Sequence, residues 1–433
     1  MTETRYRQWL VGACGLSLIF GLALLALAAK RELWGDGYFY HYSANLLVEG
    51  KGWINPLHYR VSGAVIEAAD HPPTYTAYLA LWSLVGLKSI FAHQVATVLL
   101  AVAAVPLFAN IGRRIGGPRV GVVAALVGAA HPAMWGWSKM IMSEPMAVLG
   151  VLALLIVALE WREQSKAGQS LTRITVLFGL AIGFAALSRA ELLLLGVILA
   201  FICFAERSFA RFIRNLVIAG VVAALSISPW VLHNLARFDE TVLLSNGAQI
   251  TLAATNCPET YGGQFQAFWL IDCSNRATEI AKQRIPNADQ SQIMNDIGRQ
   301  AWDYINANKK TAVKTVFLRL GRVMGVYRPL QQINFDHFPE GRSRFVAISA
   351  WASYFALLPF VIAGGLMLRK RNRTLPIFLA PVGVALFTCA ITFGNTRYRM
   401  SAEPTMIIFA SFAIVALVTT ITRWWVTDSG PKS

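Results

Sequence analysis

Charged side chains are scarce in this sequence. They make up 14% of 433 residues, against 55% hydrophobic ones, where an ordinary soluble domain carries about 25%. With a mean hydropathy of +0.49 and long apolar runs throughout, a water-soluble enzyme is excluded. Apart from one loop of roughly a hundred residues, far above the usual connection lengths, no stretch is left over for a separate soluble catalytic domain. Acidic residues are fewest, 23 against 39 Lys and Arg, for a net charge of +16. That excess does not describe a nucleic-acid binder, because the cations come in short bursts between apolar runs. The bursts are Arg113, Arg114 and Arg119; Arg162, Lys166 and Arg173; Arg207, Arg211 and Arg214; Arg369, Lys370, Arg371 and Arg373; then Arg423. Cytoplasmic loops of membrane proteins have this pattern, which also suits anionic lipid.

Other absences narrow the class. Internal repeats and ionisable residues near mid-membrane, both expected of a transporter, are not evident. No small-residue cleavage site stands between the first apolar run and Trp34-Gly35-Asp36, so that run reads as a retained helix rather than a removed signal peptide. Cysteine is sparse and split by location. Cys14, Cys203 and Cys389 lie within apolar runs, as small buried hydrophobes. Cys257 and Cys273 share a polar loop, where a disulfide fits if that face is oxidising and where a metal site would need more ligands.

What is present is an all-α polytopic membrane protein. At about 20 apolar residues per span, helices are expected near 9–29, 91–111, 120–137, 142–160, 174–190, 191–206, 215–233, 345–368, 374–393 and 403–422, about ten in all. The chain reads as a single membrane domain over residues 1–433. Both termini are then cytoplasmic, and every basic burst falls on the cytoplasmic side. Two extracytoplasmic loops remain. The first, residues 31–90, holds two candidate interfacial helices, Tyr38 to Val48 and Tyr75 to Gly86. The second, residues 234–344, begins polar and turn-rich and continues as an amphipathic helical stretch from Gln290 to Val326.

This topology brings acidic, basic and histidine residues to one face: Asp36, Asp70-His71, Glu144, Arg189 with Glu191, His233, and Arg397, Arg399 and Glu403. Charge at membrane ends is costly to desolvate, so its gathering on one face suggests a polar active-site cavity. Each residue has two readings. Asp36 suits a helix N-cap and equally a general base toward an attacking hydroxyl. Asp70-His71 precedes Pro72-Pro73, which holds the chain extended. The pair is either a rigid turn or an acid beside a phosphate donor or metal ligand. Glu144 before Pro145 satisfies a helix N-terminus, yet at membrane depth it must face protein or water. Arg397 and Arg399 run against the positive-inside trend, so they either snorkel or bind a phosphate, for which the guanidinium fork is suited.

In these motifs the chain resembles the GT-C membrane glycosyltransferases, in the branch of the protein O-mannosyltransferases and the lipid A aminoarabinose and galacturonic acid transferases. The matching features are Gly35-Asp36 after the first span with a Tyr- and Gly-bearing helix behind it, Asp70-His71-Pro72-Pro73 before a Tyr-rich helix, and Ser143-Glu144-Pro145. Leu187-Ser188-Arg189, the exit from Pro229 to Asn234, and Arg397 to Pro404 complete them. Phe39, His71 and His233 stand where relatives often carry Arg, Lys and Arg. The resemblance implies an inverting sugar transfer from a polyprenyl-phosphate donor to a lipid, glycan or protein acceptor outside the plasma membrane. Asp36 would be the base, and Arg397, Arg399, His71 and Tyr38 would bind the donor phosphate. Asp70 and Glu144 would shape the acceptor cavity. No cofactor is required by this scheme, although Asp70, His71 and His233 are candidate ligands for a divalent metal. The small external region points to a bacterial inner-membrane enzyme. A flippase or a polymerase or ligase of lipid-linked glycans is the alternative.

Overall fold

A computed structural model describes residues 1–27, 33, 35–205, 208–338, 340–371 and 374–428. Trp34, Arg207 and Arg373, named above, lie outside the described residues, as do the side chains of Lys370, Arg371 and Arg423. Among the described residues the regular structure is helical, with one isolated bridge between Ile54 and Glu67.

Helix α1 (Glu3–Leu27) leads into the first loop, which carries α2 (Gly35–Val48), α3 (Pro56–Ser62) and α4 (Thr74–Leu84). The membrane bundle continues with α5 (Ile90–Gly116), α6 (Pro118–Ala130), α7 (Pro132–Trp135), α8 (Glu144–Lys166), α9 (Thr172–Ser188), α10 (Leu192–Phe204) and α11 (Phe209–Leu235). The second loop folds as α12 (Gly247–Thr255), α13 (Pro258–Tyr261), α14 (Ile271–Arg284), α15 (Gln290–Ala307), α16 (Lys309–Val323) and α17 (Pro329–His337). Helices α18 (Arg344–Arg371), α19 (Leu375–Ile391) and α20 (Glu403–Asp428) close the bundle.

Among the described residues six helices, α1, α5, α8, α11, α18 and α20, are long and apolar enough to cross a membrane. The expected span near 120–137 is instead a broken pair, bent by 57° where α6 gives way at His131-Pro132, because proline cannot continue the hydrogen-bond ladder. Counting it makes seven. The expected spans near 174–190, 191–206 and 374–393 are shorter apolar helices, α9, α10 and α19, so the count of ten rests on them. Arg189, Ala190 and Glu191 end α9 and delay α10, since charged side chains do not sit in hydrocarbon.

The first loop adds α3 to the two expected helices. Asn55 caps it, accepting from Leu57 N and His58 N. The stretch from Gln290 to Val326 is two helices rather than one, broken at Asn308. Cys257 and Cys273 are joined in a disulfide.

The core centres on α8, where Leu152, Leu154, Leu155 and Ala158 have no exposed surface, packed among α5, α9, α10, α19 and α20. Small residues let backbones approach within this bundle, as membrane helices require when lipid supplies no hydrophobic drive. The closest case is Gly364 of α18, where a Cβ would stand 2.0 Å from the carbonyl oxygen of Phe409 on α20. Gly364→Ala is expected to cost about 1–3 kcal/mol by overpacking. Gly383→Ala, inside α19 at a position with open space around it, is expected to hold or slightly raise the thermal unfolding midpoint in detergent, which provides the control.

Candidate active site

The site is assembled from three short local devices. Gly35 takes φ +58° and starts α2, placing Asp36 in the first turn rather than at the cap position. There it faces the positive end of the helix dipole. A Cβ on Gly37 would meet the carbonyl oxygen of Met140 at 2.1 Å, so only glycine lets α2 settle against the turn before α8. Glu144 opens α8 with Pro145 behind it. Asn395 accepts from the backbone N–H of Arg397 at 2.9 Å and so caps the short 3₁₀ turn 396–401 that carries this arginine.

Arg397 is the hub. Its Nη2 donates to Asp36 Oδ2 at 2.6 Å, its Nε to Glu144 Oε1 and its Nη1 to Glu340 Oε2 at 3.5 Å. Arg189 donates to the same Glu144 oxygen at 3.1 Å and to Glu191 at 2.5 Å. His71 Nε2 stands 3.4 Å from Asp36 Oδ1, its ring 4.7 Å from that of Tyr40 and 5.1 Å from that of Phe39. Trp269 and Asn395 both donate to Glu340 Oε1, at 3.0 and 2.7 Å.

Four carboxylates thus surround two guanidiniums, and burial forces them to compete. Burial pushes the Asp36 carboxyl up, but Arg397 and His71 overcome it and hold the group well below the usual carboxylate range. Burial would lower Arg397, and Glu144, Asp36 and Glu340 together raise it well above the ordinary arginine value. Burial wins at Glu340, whose carboxyl is raised because Arg397 offsets it only in part. Glu144 Oε2, fully buried, has no hydrogen-bond partner among the described residues.

Other candidates lie apart from this hub. Asp70 and His71 diverge, because the chain bends at both rather than running extended as the prolines led one to expect. His71 turns to Asp36, while Asp70 Oδ2 accepts from Gln290 Nε2 of α15 at 3.0 Å. His233 is exposed near the end of α11 against Trp230. Asp70, His71 and His233 therefore form no metal cluster among the described residues. The one group of converging ligand atoms there is Cys257, Glu259 and Cys273, and the disulfide removes both thiolates. Tyr38 lies two residues from Asp36, on another side of α2, against Tyr42 and 5.8 Å below the Arg60 guanidinium. Arg399 points away from Arg397. It donates to Glu403 at 2.6 Å and to Val323 O at 3.2 Å, and lies 3.8 Å over the Tyr354 ring. There it lines an apolar cavity of about 430 Å³ between α18, α19 and α20, which Leu358, Ile362, Leu379 and Met406 also face.

Three participants escaped the sequence reading. Glu340 and Trp269 sit in the second loop without a motif. Arg237, one turn past α11, clamps the first loop by donating to Trp53 O at 2.7 Å, Glu67 at 2.6 Å and Ala68 O at 2.8 Å. Asn395 carried a usable signal, an Asn two residues ahead of an otherwise unexplained arginine.

Residues 70–233 match the family of dolichyl-phosphate-mannose-protein mannosyltransferases. The oligosaccharyltransferase of Archaeoglobus fulgidus, in its apo form, superposes with a TM-score of 0.59 at 13% identity, over 99% of this chain and 52% of that one. The chain shares the fold of that oligosaccharyltransferase over nearly its whole length. The same archaeal protein, AglB, in complex with an inhibitory peptide and a dolichol-phosphate, gives 0.59, 13%, 99% and 52% as well. This chain thus spans about half the length of the archaeal proteins it matches. ArnT from Cupriavidus metallidurans, bound to undecaprenyl phosphate, overlaps more loosely, with a TM-score of 0.44 at 13% identity over 95% of this chain and 78% of that one. No curated protein matches the sequence. Glu144, Arg189, Glu191 and His71 of the charged hub fall inside residues 70–233, while Asp36, Glu340 and Arg397 fall outside them.

Removing one member of a buried ion pair leaves the other charge stranded, at about 3–5 kcal/mol. Glu144→Ala strands Arg189 and Arg397 only in part, since each keeps another carboxylate. A loss near 3 kcal/mol is expected in denaturant unfolding, and Glu144→Gln, which keeps an acceptor oxygen, is expected to lose less.

Proposed function

We propose that this protein is an inverting glycosyltransferase of the GT-C kind that moves a sugar from a polyprenyl-phosphate donor to a lipid, glycan or protein acceptor on the extracytoplasmic face of a bacterial inner membrane. The observation that carries the reading is the convergence of Asp36, Glu144 and Arg397 at one point, where Glu144 is buried and Asp36 keeps access to solvent. Arg399, two residues on, lines an apolar cavity.

In the proposed step an acceptor hydroxyl attacks the anomeric carbon, its proton passes to the Asp36 carboxylate, and the bond from sugar to phosphate breaks. Charge grows on the departing phosphate and needs a fixed cationic donor; Arg397 fills this role, with His71 beside it as a further hydrogen-bonding group, whereas Arg399, turned to the apolar cavity, is a weaker candidate than the sequence implies. Tyr38, packed under Arg60, is a weaker candidate for it than the sequence implies. While Arg397 is bound to Asp36, that carboxylate stays ionised but is a poor base. A donor phosphate that draws Arg397 to itself frees Asp36 to accept a proton, so the site is armed as the substrate arrives. Glu144, held by Arg189 as well, keeps the guanidinium near during this exchange. The cavity suits the prenyl tail: from Tyr354 to Arg369 the wall along α18 runs about 22 Å at 1.5 Å per residue. The carboxylate excess also suits a divalent cation, with Asp36 and Glu144 as its donors.

The test uses purified protein in detergent or vesicles with a panel of polyprenyl-phosphate sugars and a membrane-lipid extract, following release of polyprenyl phosphate. Asp36→Asn is expected to lower release at least about 100-fold, the scale of a lost general base. Equal release by both proteins removes Asp36 from the chemistry. Repeating the assay with a chelator decides the cation.

A further inference from the structure

Helix α16 is built the wrong way round for a helix between protein and water. Its buried side carries polar residues: Thr315, Arg319 and Arg322 are 1%, 3% and 0% exposed. Arg319 donates to Thr255 O at 2.7 Å, Asn256 Oδ1 at 3.0 Å and Ala390 O at 3.1 Å, and Arg322 to Gln266 O at 2.9 Å and Gln331 at 2.7 Å. At 100° per residue the opposite side carries Val313 and Phe317, with Met324 just past the helix end. These are 59%, 68% and 45% exposed. In water such a face would be a lasting penalty, since an amphipathic helix turns its apolar stripe away from solvent.

Two further observations fix what covers the stripe. Val323 and Met324, at the C-terminal end of α16, also line the apolar cavity among α18, α19 and α20, so the stripe is continuous with the membrane-facing surface of the bundle. At the other end Lys309, Lys310 and Lys314 are exposed, Lys309 and Lys310 flank the stripe, and α16 contains no acid. Lysines in the first turn oppose the helix dipole, and Asn308 offers no side-chain cap. Positive charge gathered there fits phosphate headgroups, toward which lysine stems snorkel from an apolar face.

We propose that α16 is an interfacial helix. Val313, Phe317 and Met324 lie among acyl chains of the leaflet on the Asp36 side, and Lys309, Lys310 and Lys314 hold anionic phospholipid headgroups. The helix thereby ties the second loop to the membrane surface, and the inference stands independently of the transferase reading.

The experiment uses the full chain in nanodiscs of phosphatidylcholine with phosphatidylglycerol. For the stripe, Phe317→Cys in a Cys14→Ala background carries a nitroxide, and its relaxation by oxygen and by a water-soluble nickel chelate is compared. Oxygen is expected to dominate. Free access of the chelate overturns the proposal, and so does shielding from both reagents, which would mean that a protein partner covers the face. For the headgroups, native mass spectrometry counts phosphatidylglycerol retained by wild type and by the K309Q/K310Q/K314Q variant. At least about a five-fold weaker retention is expected, given the attraction of each surface lysine to anionic lipid. Equal retention by the two proteins overturns the headgroup assignment.

Discussion

A single guanidinium organises the charged cluster of this molecule. Arg397 lies 361 residues from Asp36 in sequence, and its partners arrive from the first loop, the start of α8 and the second loop. An arginine this deep is tolerated only when carboxylates match it and hydrogen bonds satisfy its fork. Each element that delivers a carboxylate must therefore stop at one place: α2 by the glycine contact at Met140, α8 by its first turn, and the second loop through Asn395 and Trp269 on Glu340. The charges do not contribute stability so much as register, because any displacement leaves one of them buried alone.

The two loops are locked to one another by polar contacts of the same kind. Arg237 grips the backbone of the first loop, and Gln290 holds both Ala69 N, at 3.1 Å, and Asp70. Gly247 permits the close approach there, since a Cβ would meet Asp70 O at 2.4 Å. This clamp leaves His71 turned inward beside Asp36 and Asp70 turned outward. On the far side of the second loop, Arg319 and Arg322 face inward and leave α16 an apolar outer face. The direction in which buried arginines point thus decides both the site and the membrane contact.

Much of the frame was legible because membranes impose a coarse grammar. Apolar runs, basic bursts and prolines located most helices within a few residues, and the helices α2 and α4 were readable from tyrosine spacing. His131-Pro132 was visible too, yet the bend it makes was not read, since proline within a membrane run is compatible with both a kink and a break. Glu340, Trp269 and Arg237 had no local signature. Nothing in a stretch of loop marks an acid as the third partner of an arginine more than fifty residues away. Asp70 and His71 looked like one unit, and the bend in the backbone before Pro72 separated them.

The sequence by itself determined that the chain is a helical membrane protein with its ionisable residues kept to the ends of its apolar runs, because hydrocarbon rejects charge and unpaired backbone wherever they occur. It also determined the local devices, the glycines at positions 35 and 37, the proline after Glu144 and the Asn before Arg397's turn, which act over a few residues. Only the tertiary structure decided which charges meet. Pairing depends on side-chain direction and on how deeply each helix end is set, and those follow from packing across hundreds of residues. For that reason Tyr38 and Arg399, equal to their neighbours in the sequence, ended on other surfaces, while Asp36 and Arg397 came to share one hydrogen bond.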